Sequence, residues 1–177
     1  MSRLANIPIS IPAGVTVKVN GSEIEISNGS AREIWLAHKA VKVELDGDNI
    51  KFSMDESDKK DVLSRSMLGT DFRHVKNFID GMAKPFESVL EIHGLGYRAK
   101  LAGNKITLAL GKSHDDHVEI PEHLEVTVPN EREIVCRSYS KKKLGDFVAS
   151  VCALRKPDPY KAKGVRLRGR HYRTKKD

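Results

Sequence analysis

Gly21–Gly29 reads GSEIEISNG, and Gly103–Gly111 reads GNKITLALG. Both fit the pattern G-x-x-I-x-[IL]-x-x-G, 82 residues apart. Ile24 and Ile26, like Ile106 and Leu108, alternate with other residues, which is the period of a strand with one buried face. Each stretch follows another alternating run, VTVKV from Val15 and YRAKL from Tyr97. A glycine-containing turn joins each pair, at Asn20-Gly21 in the first and at Gly103-Asn104 in the second, and this is favoured hairpin chemistry.

The likeness extends downstream. VKVELDGDNIKFSM (Val41–Met54) reads as strand, Asp-Gly turn, strand, and LEVTVPNEREIVCRS (Leu124–Ser138) as strand, Pro-Asn turn, strand. A helix follows each. The first carries Leu68, Phe72, Val75, Ile79 and Met82 on one stripe. The second carries Leu144, Phe147, Val148, Val151 and Leu154, with Ser140 as its expected N-cap. Strands, turns and helix recurring in one order predict an α+β fold made by tandem duplication. Each unit is expected to be an antiparallel sheet covered by one helix, over residues 1–82 and 83–177, with the join near GMAKP (Gly81–Pro85).

Charge divides the chain differently. Residues 1–154 hold 21 Lys/Arg and 22 Asp/Glu, whereas residues 155–177 hold 10 and 2. The whole excess of the +7 chain therefore sits in its last 23 residues, which points to a polyanion as partner, nucleic acid above all. Hydrophobic residues make up 39%, enough for a core, and no apolar run reaches the ~18–20 residues of a membrane span. Pro8 and Pro12 interrupt the apolar stretch around Ile7, Ile9 and Ile11, so no signal peptide is expected and the reading is a cytoplasmic protein with no membrane partner. Cys136 and Cys152, sixteen apart and outside any C-x-x-C pair, read as buried thiols.

Motifs for catalysis fail on context. GLGYRA (Gly94–Ala99) matches the G-x-G-x-x-[GA] dinucleotide fingerprint, but an alternating strand follows where a helix N-terminus is required. Glycines at a bend or bulge are the plain reading. HDDHVEIPEH gathers His114, Asp115, Asp116, His117, Glu119, Glu122 and His123, residue types that bind metals. Without helical spacing to fix them, a polar loop is expected. There is no G-x-S-x-G elbow and no P-loop. A binding protein follows, with no catalytic residues, cofactor, metal or small-molecule substrate.

The basic end has a pattern of its own. Pro157 stops the second helix near Lys156, and Pro159 keeps the segment extended. Arg155, Lys156, Lys161, Lys163, Arg166, Arg168, Arg170 and Arg173 supply cations for phosphate, and Arg does so with a bidentate fork. Gly164 and Gly169 let the backbone approach a surface closely, while Tyr160 and Tyr172 offer rings for stacking on bases. Lys141, Lys142 and Lys143 open the second helix, where the dipole disfavours cations unless an anion lies nearby.

PDPYKAKGVR (Pro157–Arg166) resembles P-E-P-Y-K-G-K-G-I-R, the signature of the family of the sixth protein of the bacterial large ribosomal subunit. GLGYRA is similar to the family's G-V-G-Y-R-A, and MSRLANIPISIPAGVTV to its N-terminal S-R-x-x-x-x-P-I-x-I-P-x-G-V. Asp158 stands for Glu, Ala162 for Gly and Val165 for Ile, and Leu167 falls where the family has Tyr. The resemblance covers nearly the whole chain. It implies a non-enzymatic ribosomal protein that binds large-subunit rRNA directly, mostly through the second repeat and the 155–177 segment. It also implies neighbouring ribosomal proteins, and a position near the stalk base where elongation factors dock. By motif match, the RNA-binding residues it carries over are Tyr160, Lys161, Lys163, Gly164 and Arg166. The rival reading is a free-standing RNA-binding chaperone. Truncation after Leu154 is expected to leave both units folded and to abolish RNA binding.

Overall fold

GSEIEISNG and GNKITLALG supply the middle strands of two matching three-stranded antiparallel sheets. The computed structural model describes residues 7–29, 31–55, 60–173 and 175, and the chain divides into two units, Met1–Pro85 and Phe86–Asp177.

The first unit runs β1 (Ile9–Ser10), β2 (Thr16–Asn20), β3 (Glu23–Ser27), β4 (Arg32–Leu36), β5 (Val41–Asp46), β6 (Asn49–Met54) and α1 (Val62–Ala83). The strands form two antiparallel sheets, ordered β2-β3-β4 and β1-β6-β5. Ile24, Ile26 and Ile50 are fully buried. The β2–β3 loop is Gly21-Ser22, one residue later than expected, because Asn20 already pairs with Glu23. Gly21, at φ 64°, opens this two-residue loop, as Gly47 (57°) and Gly103 (59°) open the corresponding loops of two other hairpins. Their second loop residues are not left-handed, so a glycine in first place supplies the primed turn that suits strand twist.

Helix α1 begins at Asp61, whose carboxylate accepts hydrogen bonds from the Leu63 and Ser64 amides. Leu68, Phe72, Val75, Ile79 and Met82 are buried along it as their spacing predicts, together with Phe78. It runs through Gly81 and stops before Pro85, which bars the helical region to Lys84. Buried Asp71 ties the helix to the sheet side of its unit by accepting from Trp35 Nε1 at 3.1 Å and the His38 amide at 2.8 Å.

The second unit runs β7 (Phe86–His93), β8 (Arg98–Ala102), β9 (Lys105–Ala109), β10 (Asp116–Glu119), β11 (Glu125–Asn130), β12 (Glu133–Ser138), α2 (Lys141–Leu154) and β13 (Gly164–Leu167). Its sheets are β8-β9-β10 and β11-β12-β7-β13, all pairings antiparallel. The first repeats β2-β3-β4. In the second, β7, β12 and β11 correspond to β1, β6 and β5. The α+β duplication with one helix per unit is therefore present, with the strands of each unit shared between two small sheets. Leu144, Phe147, Val148 and Val151 of α2 enter a core with Leu90, Ile92, Ile106, Leu108 and Ile134, and Leu154 packs at its margin. Cys136 is buried in this core, which pushes its thiol up to about 12, and Cys152 is half-buried with its thiol also raised by burial.

Four local expectations need correction. Ser140 sits at the N-cap of α2, but its side chain makes no capping hydrogen bond. Pro129-Asn130 is not the turn, which lies at Glu131-Arg132, because Asn130 pairs with Glu133. Pro129 is tolerated in β11 since that is an edge strand with a register shift between Thr127 and Asn130. HDDHVEIPEH is not wholly loop: Asp116–Glu119 is β10, paired with β9. The 155–177 segment is not merely an extended basic stretch either, because it contributes β13 to the second unit, where Val165 is fully buried.

Candidate nucleic-acid interface

The path from α2 into β13 is made by local hydrogen bonds. Asp158 accepts from the Tyr160 and Lys161 amides, both at 3.1 Å, and these donors hold its carboxyl below the usual range. The Asp158 amide donates to Lys163 O at 2.8 Å, and the Ala162 amide donates back to Asp158 O at 2.9 Å. Closing this loop sets Ala162 at φ 58°, the one left-handed non-glycine residue among the described residues. Lys161 and Lys163, on either side of it, are exposed.

Gly164 comes next at φ 140°, and it approaches the chain itself. A β-carbon there would lie 2.8 Å from Lys156 O and Pro157 Cα. The strand that follows is pinned on both sides. It pairs with β7, and on the outer edge the Val165 amide donates to Arg155 O at 3.0 Å and the Leu167 amide to the Tyr172 hydroxyl at 2.9 Å. Such capping removes an open strand edge. Tyr172 is thus engaged within the protein, with the Arg166 and Arg170 guanidinium groups 5.5 and 5.6 Å from its ring centre. Tyr160 remains 57% exposed. The chain then folds back, since the Lys175 amide donates to Pro159 O at 3.0 Å.

Arg168 spans two strands. Its Nε lies 2.6 Å from Glu91 Oε1 and its Nη2 3.0 Å from Glu133 Oε1. Hydrogen bonds from Arg168, and then from His93 at 3.3 Å, hold the Glu91 carboxyl below its ordinary range. Beside this clasp lies a groove of about 550 Å³. Its lining comes from three stretches of chain: Lys161 to Lys163 with Arg168, Glu91 to Leu95, and Asn130 with Arg132 and Glu133.

The structure therefore brings Lys161, Lys163 and Arg168 together. Lys156 and Arg170 line a separate hollow of about 310 Å³ with Tyr172 and Cys152. Arg155, Arg166, Arg173, Tyr160 and the buried Gly164 line neither. Nor do Lys141, Lys142 and Lys143 in the first turn of α2, where the Lys141 ammonium lies 5.6 Å from the Phe86 ring centre and that of Lys143 5.8 Å from Tyr139. Three residues of HDDHVEIPEH pair with neighbours: Asp116 with Lys112 at 2.8 Å, Glu119 with Lys105 at 2.9 Å, and His117 with Thr107 at 3.1 Å. Period-two alternation in β10 sends Asp116 and His117 to opposite faces. Residues that sequence reasoning missed are His93, Leu95 and Arg132. Arg132 sits in the true β11–β12 turn, so the misplaced Pro-Asn turn concealed it.

A two-unit α+β chain with its excess cations around the second unit belongs, by comparison with known proteins, among the ribosomal proteins. The family model that matches it is described as Ribosomal protein L6 and covers residues 93–167, from the end of β7 to the end of β13. Over 175 residues the chain is 37% identical to the large ribosomal subunit protein uL6 of Marinobacter nauticus and 38% to that of Hahella chejuensis. It is 36% identical to the uL6 of Leuconostoc mesenteroides over the same length. Each alignment spans 99% of this chain and 97% of the relative. The chain belongs to the ribosomal protein L6 family.

Proposed function

We propose that this protein is a structural, non-catalytic constituent of the large ribosomal subunit that binds large-subunit rRNA directly through its second unit. Residues 1–85 hold 12 Lys/Arg and 12 Asp/Glu, whereas residues 86–177 hold 19 and 12. The observation that carries the reading is the Asp158–Lys163 loop, a preformed turn that presents Lys161 and Lys163 at the rim of a groove also lined by Arg132. A backbone turn already closed loses little entropy when its lysines meet phosphate, which favours a fixed surface on folded RNA over a loose polycation.

Tyr160, Arg155, Arg166, Arg173 and Lys141 to Lys143 complete the proposed contact surface, with Lys156 and Arg170 around the smaller hollow. Arg168 and Gly164 support it by holding β13 in place. The near-neutral first unit is left for neighbouring ribosomal proteins or solvent. On the family resemblance, the proposed position is near the stalk base, beside the surface where elongation factors dock, in ribosomes of the cytoplasm.

Sedimentation of a cell lysate tests this. One copy per large subunit is expected, retained through a moderate salt wash. Recovery chiefly in the soluble fraction would favour the free-standing chaperone, whose binding falls steeply with salt.

A further inference from the structure

Each unit contains the same β-turn, and only one of the two carries a large side chain. In the first unit the Val15 amide donates to Pro12 O at 3.2 Å; in the second, the Tyr97 amide donates to Gly94 O at 3.4 Å. Gly14 (φ 91°) and Gly96 (φ 75°) fill the left-handed third place of the two turns, 82 residues apart. At the second place the near-neutral unit has Ala13, and the cationic unit has Leu95.

Leu95 is 91% exposed, the most exposed of the large apolar side chains among the described residues. A single exposed leucine is ordinary on a protein surface. This one is held out by a fixed support. Tyr97 is buried beneath the turn, and a β-carbon on Gly94 or Gly111 would fall 2.5 or 2.7 Å from its ring. The ring thus fills the space those glycines leave, and the turn presents Leu95 without help from contacts of its own. Leu95 lines the groove with Arg132, Lys161 and Lys163, while Arg168 pairs with the two carboxylates there, Glu91 and Glu133, so the lining carries four cations against two anions.

We infer that Leu95 is an RNA-contacting residue, packing on an unpaired base or ribose while Arg132, Lys161 and Lys163 hold the flanking phosphates. This rests on the rRNA-binding reading above. An unpaired nucleotide is the fitting occupant, because paired bases in an A-form helix keep their faces stacked away from an apolar side chain. Net positive charge around the leucine favours RNA over a protein partner.

The test measures binding of the full-length protein to deproteinised large-subunit rRNA at several salt concentrations. Leu95→Ala should weaken binding about tenfold, as expected for losing a buried leucine contact, with the slope of log K against log salt unchanged. Lys161→Ala should lower that slope by about one unit. Leu95→Met should keep most of the affinity, and no Leu95 variant should shift the thermal midpoint. Equal affinity of Leu95→Ala and the parent at every salt concentration overturns the inference, and so does a loss that follows the salt slope. Failure of the parent to bind the rRNA would instead overturn the rRNA-binding reading itself.

Discussion

Ala162 adopts φ 58°, a conformation in which a β-carbon crowds the backbone at a cost of about 1–2 kcal/mol. Its neighbours impose it, since the Asp158 amide and carbonyl close the loop on Lys163 and Ala162. The related family signature carries glycine at this place, and the backbone explains why. Ala162→Gly removes the crowding but gives the unfolded chain more freedom, so a net gain of about 0.5–1 kcal/mol is expected. Urea unfolding would measure it, and a loss of stability would show that the loop relaxes around alanine. Conformation at this position was legible only through the family motif, because Lys-Ala-Lys by itself signals no left-handed turn. Gly164 was legible as a close approach, but the surface it meets is the protein's own backbone at Arg155 to Pro157, just past the end of α2.

At the scale of elements, β3 and β9 could be read directly, since alternation and flanking glycines are local signals. Strand β13 could not. Its partner is far away in sequence, with Val165 opposite Ile92, and its pattern of cations and glycines looks like a solvated tail. The Arg168 clasp across Glu91 and Glu133 is invisible for the same reason. This clasp has a pH signature. Glu91 is held below its ordinary 4.5 in the folded protein, so unfolding raises its proton affinity. Its stabilising contribution is present above the ordinary value and is lost as pH falls through the lowered one. NMR should show the Glu91 carboxyl titrating below 4.5 together with the Arg166 and Leu167 amides. Glu91→Gln should abolish that acid-side change in the amides, and titration at the ordinary value would count against the clasp.

Across the whole molecule, duplication was legible because hairpins and helices recur in one order, whereas the division of each unit into two sheets depends on pairings that periodicity does not specify. The charge map located the cationic segment, residues 155–177, but charge alone gave no sign that it completes the sheet of the second unit. Removing everything after Leu154 takes away β13 and the fully buried Val165, and uncovers Leu90 and Ile92. Such a truncation is therefore expected to cost the second unit about 3 kcal/mol or more, in contrast to the simpler expectation that both units stay folded. The readout is a lower thermal midpoint with rapid proteolysis within residues 86–154; an unchanged midpoint would refute it. One consequence of β13 concerns time. As the chain is synthesised, the first unit has all its described strands and its helix by Ala83, so nothing delays its closure. The second begins with β7 and must wait until Leu167 for the neighbour that covers its flank. The nascent second half thus carries β7 with one edge open even after β12 has paired with it, and the basic residues that complete it arrive last.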